Sequence, residues 1–204
     1  MDLQSHWEGI YESKSPLETS WFQPHLQTSL DWISHAVPDR SASIIDVGGG
    51  ESTLVDDLLA KGYLTLTVLD LAEAALKKSQ ERLGPEAKRI HWLLGDVTRV
   101  SLPSRNYDVW HDHAVFHFFT ESKQRFAYVN RLASSLKIGG HLIISTFGPE
   151  GPERCSGLPI QRYDAEMLQK EFGCDFRIVK SSLVEHQTPF GIAQQFLYCH
   201  FTLG

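Results

Sequence analysis

Residues 43–50 read SIIDVGGG, and this stretch decides the fold class of the chain. Three of its first five side chains are apolar and β-branched, which predicts a short buried strand. The glycines Gly48, Gly49 and Gly50 then allow the backbone to turn sharply and to lie close to a ligand. Residues 51–61 carry leucines at helical spacing and stop at Gly62, which predicts a helix.

The alternation of strand and helix continues along the chain. Four further apolar runs predict strands at residues 65–69, 90–94, 107–111 and 141–146. Helical periodicity lies between them at residues 72–83 and 121–136. Because strands joined by helices make right-handed crossovers, this order predicts an α/β, doubly wound, mostly parallel sheet with helices on both faces.

Both ends of the chain follow other patterns. Residues 24–37 carry apolar side chains on one stripe and predict an amphipathic helix before the sheet. Residues 176–186 and 194–202 flank a tight turn and predict an antiparallel hairpin. Residues 147–162 show no periodicity, and a loop of this length often covers a functional site.

The chain has 204 residues, 42% of them hydrophobic, and a formal net charge of −6, which suits one globular domain. We expect that domain to span residues 1–204, with an N-terminal helical arm at 1–40 and the α/β core at 41–204. The acidic balance argues against a nucleic-acid partner, and no apolar run reaches the roughly 18 residues of a membrane helix. The polar N-terminus is no secretory signal, so we expect a cytoplasmic monomer or homodimer.

Metal binding is not expected. The three cysteines are scattered and form no CxxC pair, which argues against structural zinc. The ten histidines are an excess, but His111, His113 and His117 follow one strand end at a spacing that does not suit one metal-binding face. We therefore interpret the excess as a source of candidates for acceptor binding.

An acidic residue stands at the end of each of the first three predicted strands: Asp46, Asp70 and Asp96. The carboxyl ends of strands in a doubly wound sheet line its ligand crevice. An acid after the second strand accepts hydrogen bonds from both hydroxyls of a ribose. Together with the glycine turn, the three acids predict a cofactor that contains adenosine.

Two cofactor classes compete for this pattern. A nicotinamide or flavin dinucleotide prefers G-x-G-x-x-G or A, but Thr53 occupies the sixth position here. Asp46 and Glu51 would also place negative charge beside the pyrophosphate. S-adenosylmethionine has no phosphate and carries a sulfonium and an ammonium, so it suits nearby carboxylates. We expect S-adenosylmethionine and keep an NAD-type oxidoreductase as an alternative.

The chain resembles the class I S-adenosylmethionine-dependent methyltransferases over nearly its whole length. The matching motifs are IIDVGGGES at 44–52, VLDLA at 68–72, GDVT at 95–98, YDVWHDHAVFHFF at 107–119 and LKIGGHLIIST at 136–146. The resemblance implies a Rossmann-like sheet of seven strands in the order 3-2-1-4-5-7-6, with the last strand antiparallel. It also implies that residues 1–40 form a cofactor-capping arm. Ser52 departs from the family by replacing a third glycine.

The resemblance implies cofactor-binding roles for the matching residues. Asp70 would bind the ribose, and Leu71 would lie against the adenine. Asp96 would accept from the adenine amino group, with Val97 beside it. Asp112 would contact the cofactor ammonium through its backbone or its carboxylate. The full expected set is Asp46, Gly48, Gly49, Gly50, Asp70, Leu71, Asp96, Val97 and Asp112, with Tyr11, Trp21 and Phe22 from the arm.

The acceptor side is less specific. His113 and His117 follow the fourth strand, where the family places its acceptor wall, and histidine is a natural base near neutral pH. A structural role stays open for both. Other candidates near the acceptor are His186, Thr188 and Gln194 in the hairpin, for which turn chemistry is the alternative, and Cys155, whose thiol suits a soft acceptor.

The acceptor itself stays open between two classes. The chain lacks the Asn/Asp-Pro-Pro-aromatic motif after the fourth strand, which also argues against a nucleic-acid acceptor. A small molecule under the 147–162 loop and a protein side chain such as lysine remain, and the compact size favours the small molecule. A protein that binds the cofactor without catalysis is the third hypothesis.

Overall fold

The computed structural model describes residues 2–204 of the chain. The main sheet consists of β1 (Ser43–Val47), β2 (Thr65–Asp70), β3 (Ile90–Leu94), β4 (Tyr107–His113), β5 (Leu136–Phe147), β8 (Phe176–Gln187) and β9 (Ala193–Leu203). Two short strands, β6 (Arg154–Cys155) and β7 (Leu158–Pro159), form a separate hairpin.

The order of the main sheet is β3-β2-β1-β4-β5-β9-β8. The first five strands pair in parallel, and β9 is antiparallel to both of its neighbours. If the strands of this sheet are numbered along the chain, the order is 3-2-1-4-5-7-6. The fold class and the topology expected from the sequence are therefore confirmed.

Helices cover both faces of the sheet. They are α1 (Leu3–Ser13), α2 (Gln27–Ala36), α3 (Leu54–Ala60), α4 (Glu73–Leu83), α5 (Ser122–Ser135) and α6 (Ala165–Phe172). Successive side chains of a strand point to opposite faces. Ile44 accordingly packs with residues of α2, α3 and α4, whereas Ile45 packs with residues of α5 and α6. Burial on both faces explains why β1 is a nearly continuous apolar run.

The region around residue 136 differs from the prediction. The helix expected over 121–136 stops before Leu136, which opens β5 five residues earlier than the predicted strand at 141–146. Leu136 is fully buried and pairs with Tyr107 of β4. Within α5 the buried side chains include Tyr128 and Leu132, whereas Phe126 is 69% exposed.

The sequence pattern also missed α6 and the β6–β7 hairpin. Asp164 begins α6 by accepting a hydrogen bond from the backbone N–H of Met167, and Gly173 ends it with a φ of 77°. Both are common helix-end signals. The β6–β7 hairpin lies inside the 147–162 stretch that was expected to be irregular.

Within residues 2–204, no helix combines the length and the apolar character that a membrane crossing requires.

Candidate functional site

A cavity of about 440 Å³ opens along the carboxyl edge of the sheet. Its walls come from the ends of β2, β3, β4 and β5, from the start of β9, and from the N-terminal arm. This is the edge where doubly wound sheets bind ligands, next to the point at which the strand order reverses between β1 and β4. The volume lies in the range of small-molecule sites.

One end of the cavity lies at β2 and β3, and we call it the acid end (Asp70, Leu71, Asp96 and Val97). The structure places all four residues on the cavity wall, and their roles in cofactor binding stay predictions. Asp70 is 6% exposed, and its Oδ1 accepts from the backbone N–H of Ala72 at 2.8 Å. Burial raises the pKa of its carboxyl to about 7. Hydrogen bonds from backbone N–H groups therefore offset only part of the effect of burial on this carboxyl.

The glycine turn leaves room between β1 and the cavity. Gly48 lines the cavity with a φ of 67°, and a Cβ there would come within 2.1 Å of Val115. A Cβ on Gly50 would come within 2.9 Å of Oδ2 of Asp70. Gly49 borders a small adjoining pocket of about 50 Å³ with Gly48, whereas Gly50 lines neither space. Gly50 therefore acts by allowing Asp70 to sit close to the turn.

Asp46 takes part in a buried hydrogen-bonded chain that the sequence analysis did not foresee. Its Oδ1 accepts from Nδ1 of His111 at 2.6 Å, and Nε2 of His111 lies 2.9 Å from the hydroxyl of Ser29. A carboxylate only accepts, so the proton of His111 lies on Nδ1. The other oxygen of Asp46 is buried and has no hydrogen-bond partner within residues 2–204, and Asp46 borders the small pocket.

Two cofactor contacts were predicted for Asp112, through its backbone or through its carboxylate, and the structure favours the backbone. Its Oδ1 accepts from the backbone N–H of Val115 at 2.9 Å, and its Oδ2 accepts from the hydroxyl of Tyr128 at 2.6 Å. The side chain is fully buried and does not line the cavity. Both oxygens are occupied in the core against α5, so only the backbone of Asp112 could contact a cofactor.

The opposite end of the cavity lies at β4, β5 and β9, and we call it the aromatic end (His113, Phe118, Phe147, Cys155 and Phe196). All five residues line the cavity. The ring of His113 stacks on Phe196 with centroids 5.2 Å apart and an interplanar angle of 19°. Burial lowers the pKa of His113 to about 3, so its ring is neutral at pH 7. Burial also raises the pKa of the Cys155 thiol to about 11, so the thiol stays protonated.

The two candidate histidines after β4 lie in different places. His113 reaches the cavity, and its Nε2 is buried without a hydrogen-bond partner within residues 2–204. His117 does not line the cavity. Its Nδ1 accepts from the backbone N–H of Phe147 at 3.2 Å, and its side chain is fully buried. The structure thus favours, for His117, the structural role that the sequence left open beside an acceptor-side role.

The hairpin candidates are also structural. Nε2 of His186 donates to the backbone carbonyl of Ser20 at 2.8 Å, which ties the hairpin to the arm. The hydroxyl of Thr188 accepts from the backbone N–H of Ile192 inside the turn. Neither these residues nor Gln194 lines the cavity.

The N-terminal arm covers the cavity. Trp7, Tyr11 and Trp21 line it, whereas Phe22 lines only the small pocket. The ring of Trp7 makes edge contacts with two other rings. Its centroid lies 5.7 Å from that of Trp21 and 5.1 Å from that of Phe118.

Glu8, which the sequence analysis did not single out, fixes this arm to α4. Its two carboxylate oxygens accept from the backbone N–H groups of Glu73 and Ala74, at 2.8 and 2.9 Å. Free N–H groups at the start of a helix are a good site for a carboxylate. The arm is therefore held directly beside the Asp70–Leu71 segment that leads into α4.

Comparison with known proteins identifies the central part of the chain. Residues 44–140 match the family model described as "Methyltransferase domain". These residues form a methyltransferase domain of the class I S-adenosylmethionine-dependent type. S-adenosylmethionine is the cofactor of this class of enzyme, which resolves the choice that the sequence left open.

Curated relatives of this methyltransferase domain are distant. The chain is 22% identical over 144 residues to the "eEF1A lysine and N-terminal methyltransferase" of Bos taurus, covering 68% of this chain and 20% of that protein. It is 29% identical over 110 residues to the "Malonyl-[acyl-carrier protein] O-methyltransferase" of Paenibacillus sp. (strain JDR-2), covering 52% of this chain and 39% of that protein. The chain thus spans well under half the length of these relatives.

The methyltransferase fold also matches solved structures. One is a Burkholderia thailandensis 1,6-didemethyltoxoflavin-N1-methyltransferase with bound 1,6-didemethyltoxoflavin and S-adenosylhomocysteine. Its TM-score is 0.70 and its sequence identity is 19%, and the match covers 98% of this chain and 84% of that chain. At this identity the likeness concerns the fold.

The residues of this methyltransferase domain fit the cofactor. Burial favours the neutral form of the Asp70 carboxyl, and hydrogen bonds from the hydroxyls of a ribose would favour its ionised form. The unpartnered oxygen of Asp46 borders the glycine turn, where a cationic ligand would compensate it. Gly48 lines both the cavity and the small pocket, and a side chain there would collide with Val115.

Proposed function

We propose that this chain transfers the methyl group of S-adenosylmethionine to a small molecule bound in the same cavity. The observation that carries the proposal is the cluster of aromatic rings on the cavity wall, in which Trp7 contacts both Trp21 and Phe118. A space of about 440 Å³ that must admit both cofactor and acceptor favours a small acceptor over a folded protein.

The proposed roles follow the position of each residue. Asp70 holds the ribose, Leu71 and Val97 pack on the adenine, and Asp96 accepts from its amino group. Gly48 gives the methionine part access to the glycine turn, and the hydrogen bond from His111 holds the Asp46 carboxyl beside it. Tyr11 and Trp21 cover the cofactor from the arm.

When bound, S-adenosylmethionine supplies an activated methyl group: its carbon–sulfur bond breaks as a bond to the acceptor forms, releasing S-adenosylhomocysteine and a proton. The protein contributes by holding the acceptor in line and by excluding water. His113 is the polar side chain of the aromatic end best placed to orient the acceptor. Its lowered pKa makes it a weak base, so we assign it mainly to orientation.

Protein methylation is the second candidate, supported by the lysine methyltransferase among the relatives. A methyl-labelling experiment separates the two. A cell extract is first separated into a protein fraction and a small-molecule fraction. Each fraction is then incubated with the protein and with S-adenosylmethionine that carries a tritiated methyl group. We expect label in the small-molecule fraction and none with the Asp70→Asn variant. Label confined to the protein fraction would contradict the proposal.

A further inference from the structure

We propose that the aromatic end binds an uncharged, single-ring aromatic hydroxy compound, held between ring faces and by one hydrogen bond to Nε2 of His113. This inference rests on the proposed function, because the acceptor must lie beside S-adenosylmethionine. It narrows the acceptor from any small molecule to one chemical class.

Charge is the first argument. Among residues 2–204, the charged side chains on the cavity wall are Asp2, Asp70, Asp96 and Arg99. They come from the arm and from the ends of β2 and β3, so the aromatic end has no charged side chain of its own. A charged group moved from water into such a wall loses its hydration without gaining a partner. Both carboxylate and ammonium acceptors are therefore disfavoured.

Aromatic walls alone can attract cations, so ammonium acceptors need a second argument. The cofactor already brings a positive sulfonium to this space. A second cation beside it would meet like-charge repulsion in a dry environment, where screening is weak. The aromatic faces are thus available to the sulfonium, and the acceptor is better neutral.

His113 supplies the polar part of the recognition. Its Nε2 is buried and unpartnered, although the rest of its ring is packed on Phe196 and lies 5.9 Å from the ring of Tyr198. His113 also borders the small pocket that Asp46 and Glu51 line, but the charges that shift its pKa are those of His111, His186 and His117, and all three lower it. A hydroxyl satisfies Nε2 in either neutral tautomer, because a hydroxyl both donates and accepts.

The ring arrangement supplies the apolar part. Phe196 is flanked by His113 and by Phe147, whose centroid lies 4.8 Å away at an angle of 57°. Phe118 and Trp7 also line the cavity and meet in an edge contact. Offset and edge-on geometries are the arrangements that aromatic rings prefer, so a planar ring fits such a wall better than a branched aliphatic chain.

The chemistry balances for a hydroxyl acceptor. An oxygen lone pair forms the new bond to the methyl carbon, and the electron pair of the breaking carbon–sulfur bond stays on sulfur. The hydroxyl becomes strongly acidic as its oxygen gains the methyl group. Nε2 of His113 can then accept the proton despite its weak basicity and release it to solvent when the product leaves.

The test compares three ring compounds of similar shape: 4-methylphenol, 4-hydroxybenzoate and tyramine. Each is titrated into the full chain saturated with sinefungin, a cofactor analogue with an amine in place of the sulfonium methyl, and binding is followed by ligand-observed NMR. We expect 4-methylphenol to bind about tenfold more tightly than either charged compound. Equal or tighter binding of a charged compound, or binding of none of the three, would overturn the inference.

A variant tests the hydrogen bond. In His113→Phe we expect about a fivefold loss of 4-methylphenol affinity, but less than a twofold change for toluene, which lacks the hydroxyl. Equal losses for both compounds would mean that His113 acts by packing alone. The exposed His35 provides the matched control His35→Phe, which should change neither value. The comparison of the three compounds uses the unaltered chain, so it stands even if His113→Phe does not fold.

Failure of sinefungin to bind would contradict the proposed function itself. Sinefungin binding without the expected preference among the ring compounds would contradict only the acceptor class.

Discussion

The two ends of the cavity differ in the chemistry of their side chains. The acid end places carboxyls at the ends of neighbouring strands, and Asp70 remains buried without a cationic partner. The aromatic end has ring faces, a neutral imidazole and a protonated thiol. The comparison teaches that one end is prepared for hydroxyl donors and positive charge, whereas the other is prepared for a neutral flat surface.

The largest expected effect comes from removing the carboxyl that defines the acid end. Asp70→Asn keeps an acceptor for the N–H of Ala72 but loses charge-assisted bonds to two ribose hydroxyls. We expect the Kd for S-adenosylhomocysteine to rise about 100-fold by calorimetry. Thermal stability at pH 8 should hold or rise, because the variant removes a buried charge.

Asp108→Asn is the matched control for this variant. Asp108 accepts from the backbone N–H of Ser43 and from Lys137 at the opposite edge of the sheet, both at 2.8 Å. It should lower stability and leave cofactor binding unchanged. If Asp70→Asn bound S-adenosylhomocysteine as tightly as the unaltered chain, the proposal that the acid end binds the ribose would be wrong.

A smaller effect should appear as a pH dependence of the acid end. The pKa of Asp70 is raised to about 7, and the hydroxyls of a bound ribose favour its ionised form. Affinity for S-adenosylhomocysteine should therefore be constant above pH 7 and fall by up to about tenfold for each unit below it. The Asp70→Asn variant should show no such slope. A slope of the same size in the variant would assign the titration to another group.

The raised pKa of Asp70 affects the stability of the unliganded chain in the opposite direction. Asp70 is protonated more readily in the folded than in the unfolded state. Its contribution to the free energy of unfolding is therefore lost as pH rises from about 4 to about 7.

The smallest effect concerns the arm that covers both ends. Glu8→Ala removes the carboxylate that caps α4, and we expect the free energy of unfolding to fall by about 1 kcal/mol in urea denaturation. Glu12, which is exposed on the same helix, gives the control variant Glu12→Ala with no comparable loss. Identical stability of the two variants would show that Glu8 does not hold the arm.

The sequence predicted the acid end better than the aromatic end for a physical reason. Asp70 and Asp96 end neighbouring parallel strands, so topology alone brings them to one edge. Phe147 and Phe196 meet only because β5 and β9 pair in a particular antiparallel register. Periodicity predicts that two such strands exist, but it does not give their register.

The carboxylate of Asp112 and the ring of His111 make contacts that the sequence did not predict, and both have one cause. The predicted strand at 107–111 continues to His113, so alternation places His111 and His113 on one face and Asp112 on the other. Asp112 consequently enters the core beneath α5. His111 lies directly opposite Asp46 in the β1–β4 pairing, which explains a hydrogen bond that spacing along the chain does not reveal.

A crystal structure of the chain with S-adenosylhomocysteine tests the central claim most directly. We predict both ribose hydroxyls within hydrogen-bond distance of the Asp70 carboxylate, the adenine beside Leu71 and Val97, and the sulfur directed toward His113. An adenosine moiety bound among Phe118, Phe147 and Phe196 would contradict the account.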